Sequence, residues 1–212
     1  APGAQPNDET RTALLRILEL NKEMARAPRP ETLPDRILDA AIELAGAERG
    51  FLIQRPRQES ADGGPAAWEV VAARSLDREN VRKGLQKVSH SITAQVLESG
   101  VAFRSDDAIN DEALEPRASI ADLKLRSVLC IPMRVGERVS GCLYVDNRFA
   151  RGQFDESAQE LLEVFADQAA LALERVRLVE ENERVCQSLE RANAELKVAL
   201  REQSRALDSL SE

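Results

Sequence analysis

Two cysteines, Cys130 and Cys142, flank a Gly136-Glu137 turn inside RSVLCIPMRVGERVSGCLYVDNR, residues 126–148. If that turn centres a hairpin, the two thiols fall close to opposite one another on adjacent strands. Such a pair would suit reduction chemistry or part of a metal site. The spacing is not that of a zinc site, however, and the only histidine, His90, belongs to another element. The competing reading takes both cysteines as small buried hydrophobes, and the burial tendency of free cysteine favours it. His90 sits between Ser89 and Ser91 at an expected helix start. A lone histidine there reads as a partly exposed capping-region residue in preference to a haem ligand or proton carrier. The acidic loop from Ser105-Asp106-Asp107 to Asp111-Glu112 could hold a cation or frame a pocket. It lacks EF-hand spacing, so a solvated loop is the better reading. No Gly-rich phosphate loop is present. The residues therefore nominate neither a catalytic group nor a metal ligand, and the chain reads as a non-enzyme.

Composition narrows the class. A formal charge of −8 without any Lys/Arg-rich run argues against a nucleic-acid surface. The aromatic share of 3% requires an aliphatic core, and the 31% charged share suggests long solvated helical faces. No segment approaches the roughly 18 consecutive apolar residues of a membrane helix, and the start APGAQPNDET is not a secretory signal. An odd number of cysteines in separate elements is no secreted disulfide framework, which leaves the cytoplasm as the expected compartment.

The elements that must position these residues follow from periodicity. Residues 8–26 read as an amphipathic helix with Leu14, Ile17, Leu18, Asn21 and Met24 on one side. A second helix opens at Thr32, with Asp35 completing a capping-box-like pair, and Gly46 stops it. Its stripe is Ile37, Leu38, Ala41, Ile42 and Ala45. The period then changes. Strands are expected over residues 49–54 and 68–75 as a hairpin across Asp-Gly-Gly-Pro, a helix over 89–99 closed by Gly100, and a strand over 101–105. A short helical turn over 118–123 precedes the hairpin of the opening stretch. There VLCIPM is a continuous apolar run, as in a strand covered on both faces. Pro132 should stand at a strand end or bulge, and Gly141 weakens its strand unless a neighbouring backbone comes close. The sum is an α+β domain with a central antiparallel sheet flanked by helices.

From Asp155 to about Leu210 there is no proline or glycine, and the pattern stays helical. The first half is apolar enough to pack on a domain through Ala158, Leu161, Leu162, Phe165, Ala169, Ala172 and Leu173. The second half carries a narrow stripe through Leu178, Val185, Leu189, Ala192, Leu196, Ala199, Ala206 and Leu210. Asn182 and Gln203 interrupt this heptad seam. A second register, through Val179, Cys186, Leu189, Leu196, Leu200, Leu207 and Leu210, fits nearly as well. So narrow a stripe does not stabilise a lone helix in water, and a second copy of the chain is the simplest partner.

In order and wording, the chain resembles a GAF domain. The similar segments are LPDRILDAAIELAGAERGFLIQ (33–54), WEVVAARSLD (68–77), SHSITAQVLESGVAF (89–103), LRSVLCIPMRVGERVSGCLYVDNR (125–148) and FDESAQELLEVFADQAALALE (154–174). The resemblance is to the sensor GAF domains that precede bacterial output domains such as histidine kinases, cyclases and transcription activators. It implies a GAF/PAS-like sheet with the terminal helices on one face and, where a ligand binds, a pocket on the other. Pocket candidates are Phe103, Ser105, Ile120, Leu123, Val128, Cys130 and Tyr144, with Arg117 or Arg126 available to an anionic ligand. It also implies dimerisation through the terminal helices, for which Leu14, Ile17, Leu18, Leu178, Asn182, Val185, Leu189, Leu196 and Leu210 are the candidates.

On this reading residues 1–30 are a leader and helix, 31–175 the GAF domain, and 176–212 a coiled-coil signalling helix. The chain is an excised regulatory module of a larger signalling protein, and no cofactor is expected. The cyclic-nucleotide branch of the family carries Asn-Lys, a gap, Phe, three residues, then Asp-Glu. Here Asn147-Arg148 puts Arg for Lys, and Phe154 is followed at once by Asp155-Glu156. Cyclic-nucleotide binding therefore stays open but unsupported. Bilin attachment is disfavoured, because neither Cys130 nor Cys142 is followed by His. Asp155 reads instead as the N-cap region of the long helix. A ligand-free dimerisation and spacer module is the alternative reading, with a cysteine-based reductase behind it.

Overall fold

Thr32 is already helical before the first α-helix starts. In the computed structural model, Pro30–Thr32 form a 3-10 turn that runs directly into α1 (Leu33–Ala45). Thr32 has φ −93° and ψ −6° and makes no side-chain capping bond, so the expected capping box does not form. The physical reason is conformational: an N-cap side chain reaches the first turn from extended backbone, and the 3-10 turn removes that geometry. Leu33, Ile37, Leu38, Ala41, Ile42 and Ala45 are buried. Gly46, at φ 62°, ends the helix, and the N–H of Ala47 donates to Ile42 O at 3.0 Å.

The structure describes residues 18–19, 22, 30–54, 68–75, 90–108, 126–149, 152 and 154–210. The strands are β1 (Arg49–Gln54), β2 (Glu69–Ser75), β3 (Phe103–Ser105), β4 (Ser127–Val135) and β5 (Arg138–Asn147). They form one antiparallel sheet in the order β2-β1-β5-β4-β3. Between β2 and β3 lies α2 (His90–Ser99), which Gly100 closes at φ 66°. The β4–β5 turn is Gly136-Glu137, with Gly136 at φ 63°.

The register shifts at two places. One falls between Leu52 and Ile53 in the β1–β2 pair, the other between Met133 and Arg134, the residues after Pro132, so the proline stands beside a bulge in β4. Gly141 in β5 marks a close approach of strands. A Cβ there would collide with the carbonyl oxygen of Ile53 and come within 2.8 Å of Met133 Cε. The close approach of β1 therefore requires glycine at this position.

One face of the sheet lies under α1. A Cβ on Gly50 would come within 2.8 Å of Leu38 and 2.9 Å of Ile42. Arg74 of β2 ties the helix down through Asp35 at 2.8 Å and Asp39 at 3.3 Å. The last helix, α3 (Glu156–Leu210), begins where Asp155 Oδ1 accepts the N–H of Ala158 at 2.7 Å, which makes Asp155 its N-cap. Leu162, Phe165, Ala166, Ala169, Ala170 and Leu173 give its first turns a buried stripe at helical spacing. The chain divides into two compact units, residues 1–173 and 174–212, with α3 continuous in backbone from one to the other.

Candidate functional site

Strand register decides which side chains share a face, because alternate residues point to opposite sides. On the face away from α1, the pairings line up three rows. Ser105, Val128, Asp146 and Arg49 make the first; Phe103, Cys130, Tyr144, Phe51 and Ala73 the second; Pro132, Cys142, Ile53 and Val70 the third. All five pocket candidates that the structure describes (Phe103, Ser105, Val128, Cys130 and Tyr144) thus stand together on one face. Ile120, Leu123 and Arg117 lie outside the described residues. Ile92, Val96 and Leu97 of α2 are buried in the same cluster as these rows, with Phe103 and Trp68 partly buried at its margin. Phe51 and Tyr144 meet edge to face, ring centroids 5.8 Å apart. Val128, Cys130 and Tyr144 have no exposed surface, so side chains fill this part of the face.

Cys130 and Cys142, expected close to opposite one another, stand offset by two residues along the strand pair. The bulge after Met133 shifts the pairing by one residue, so Cys130 faces Tyr144 and Cys142 faces Pro132. The thiols are diagonal neighbours on one face, both free and both buried. Burial pushes the Cys130 thiol well above its ordinary value, and the adjacent Cys142 adds to that. Since the thiolate is the nucleophile, this setting is that of an inert thiol.

Sequence reasoning missed the strongest polar contact on the face. Arg49 donates from Nε to Asp146 Oδ1 and from Nη2 to Oδ2, both at 2.8 Å, with both residues buried. The guanidinium carbon also lies 5.7 Å from the Phe51 ring centroid. Burial raises the Asp146 carboxyl above its usual range, and the two Arg49 bonds draw it back only in part. The available signal was a charge at the end of each apolar strand: Arg49 opens RGFLIQ and Asp146 follows CLYV.

Of Asn147 and Arg148, the partial match to a nucleotide signature, the fold engages the side chain of the first and the main chain of the second. The N–H of Glu48 donates to Asn147 Oδ1 at 2.6 Å, and the Glu48 carboxylate accepts the N–H groups of Arg148 and Phe149 at 3.1 and 3.2 Å. These bonds join the end of β5 to the α1–β1 connection. His90 opens α2 with an exposed side chain. Arg126 is 4.0 Å from Asp107, a partly buried pair. Among the described residues, no group of three or more His, Cys, Asp or Glu is placed to hold a metal ion.

The second unit offers a different surface. Leu178, Val179, Val185, Leu189, Leu196 and Leu200 are each more than half exposed on α3, with Leu189 at 61%. Asn182 Oδ1 accepts the Cys186 S–H at 3.4 Å along the same stretch. Leu210 is the last helical residue. Of the N-terminal candidates, Leu18 is helical and exposed, while Leu14 and Ile17 lie outside the described residues.

Comparison with known proteins places the first unit. The sequence profile of the GAF domain matches residues 28–174, and the chain belongs to the GAF domain family. Solved structures share the fold. The GAF domain of a phosphoenolpyruvate-protein phosphotransferase from Coxiella burnetii aligns with TM-score 0.59 and 16% identity over 81% of this chain and 98% of that one. The GAF domain of a protein described as a sensor histidine kinase from Pseudomonas syringae pv. tomato aligns with TM-score 0.56 and 20% identity, over 84% and 96%. A segment of a methyl-accepting chemotaxis protein aligns with TM-score 0.56 and 17% identity, over 76% and 98%. No curated protein matches the chain. No helix among the described residues is long and apolar enough to cross a membrane.

Proposed function

We propose that the chain is a regulatory GAF sensor module that works as a homodimer. It passes a small-molecule or protein signal through α3 to a covalently attached output domain of the kinase, cyclase or transcription-activator type. The observation that carries this reading is the uninterrupted run of α3 from the buried stripe ending at Leu173 to the bare stripe beginning at Leu178. Seven large apolar side chains more than half exposed between Leu178 and Leu200, Val198 among them, call for a partner, because burial of an apolar face is what stabilises a helix. The mechanism is a helix pair with two packings, biased by the state of the domain. Family membership and the chemotaxis and kinase relatives support a regulatory role over a catalytic one. Three free thiols suit a reducing, cytoplasmic setting.

Sedimentation velocity over a concentration series tests the reading. A dimer that dissociates when Leu189 and Leu196 are changed to Asn supports it, and a chain that stays monomeric at high concentration refutes it. The ligand-free spacer module has its own support in the filled sheet face around Cys130 and Tyr144. Native mass spectrometry of the protein from its own host separates the two, since a retained small molecule belongs only to the sensor.

A further inference from the structure

We infer that Glu48 and Arg49, adjacent residues at the α1–β1 corner, form a clamp that fixes where β5 leaves the sheet and so couples the sheet to α3. The clamp rests on the reading of α3 as the output helix and supplies the joint by which the sheet reaches it.

These two residues hold four consecutive residues at the end of β5. Arg49 takes the Asp146 carboxylate with two bonds at 2.8 Å. The main-chain N–H of Glu48 lies between two acceptors, Asp146 O at 3.2 Å and Asn147 Oδ1 at 2.6 Å. The Glu48 carboxylate then accepts the N–H of Arg148 at 3.1 Å and that of Phe149 at 3.2 Å.

Beyond Asn147 packing gives the chain little hold. Phe149 is 83% exposed, and Arg148 is exposed as well. Hydrogen bonds to one carboxylate therefore set the direction in which the chain departs toward Asp155, the N-cap of α3. Bonds from main-chain N–H groups to an ionised acceptor are about twice as strong as neutral ones. The Arg148 guanidinium stands 4.0 Å from the same carboxylate, and an exposed pair at that distance adds little.

The clamp also reaches the candidate face. Arg49 and Asp146 stand in the row with Ser105 and Val128, on the side of the sheet away from α1. One peptide bond separates Arg49 from Glu48. A shift of β1 against β5 at that face therefore moves the carboxylate that anchors Arg148 and Phe149.

Amide exchange and sedimentation together test the clamp. Glu48→Ala should speed exchange at Arg148 and Phe149 by about tenfold or more, as expected when a bond to a charged group is lost, and leave Leu129 and Ile131 of β4 unchanged. Glu48→Gln keeps an acceptor oxygen and should recover part of the protection. Glu48→Ala should also weaken self-association by about threefold or more, although Glu48 lies outside the α3 stripe. Altered exchange with association at native strength would show a structural bond only and overturn the coupling. Unchanged exchange at Arg148 and Phe149, or an equal rise throughout β4, overturns the clamp itself. A native chain that sediments as a monomer refutes the dimer reading instead, and the clamp then stands or falls on the exchange at Arg148 and Phe149.

Discussion

The sheet and the exit helix use the same aliphatic residues and meet opposite conditions. Leu129 in β4 has no exposed surface, whereas Leu189 in α3 is 61% exposed. In the sheet, pleating offers two apolar faces, and the chain covers one with α1 and sets the α2 side chains into the core of the other. In the second unit a single helix carries a stripe that the described residues of that unit do not cover. The difference marks where the described residues bury their apolar side chains and where they leave them open. It also separates two kinds of polar residue. Asp146 in the sheet is satisfied within the chain by Arg49, while Asn182 lies on a surface that we assign to a second copy.

The largest effect should come from breaking the internal pair. Asp146→Ala leaves the Arg49 guanidinium buried without its carboxylate and should cost about 3–5 kcal/mol in urea unfolding. A loss below about 1 kcal/mol would mean that water or another group replaces the carboxylate there. The two leucines sharpen the comparison directly. Leu129→Ala should cost about 2–5 kcal/mol in the unfolding of the domain. Leu189→Ala should leave that transition within about 0.5 kcal/mol in dilute solution, as surface changes do, while weakening self-association by sedimentation. Equal effects on unfolding would erase the distinction between the two units.

A smaller effect depends on pH. The Cys130 thiol is raised in the fold, so above pH about 9, its ordinary value, the unfolded chain loses a proton that the folded chain keeps. The folded state then binds more protons, and stability falls as pH rises, by about 1.4 kcal/mol per unit until the folded thiol ionises. The stability difference between the native chain and Cys130→Ala, followed from pH 8 to 10.5, should narrow with that slope; a constant difference would place the thiol in an open, solvated site. The smallest change is at the head of α3. Asp155→Ala removes the acceptor for the Ala158 N–H and should cost about 1 kcal/mol, seen as fraying of the first turn in amide exchange.

Much of this was legible in the residues. Arg49–Gln54 was delimited by its apolar run, Gly100 and Gly46 by the need for left-handed backbone, and Asp155 by its place before a proline-free helical period. These features act over a few residues, and local conformational preference is enough to specify them. The capping box at Thr32 was not legible, because a 3-10 turn of only three residues changed the backbone that the cap requires. The candidate face was legible as a set of strands but not as a surface. VLCIPM is apolar at every position, so no alternation says which residues point which way.

By itself, then, the sequence determined the α+β element order, the family, and the long helix whose apolar stripe repeats in heptads. Periodicity and turn chemistry are short-range and survive in a single line of residues. The tertiary structure alone decided that Cys130 faces Tyr144 and not Cys142, that Arg49 and Asp146 close on one another across β1 and β5, and that Gly141 yields space to the Ile53 carbonyl. Each depends on the register of strands distant in sequence, and one bulged residue changes which side chains stand opposite.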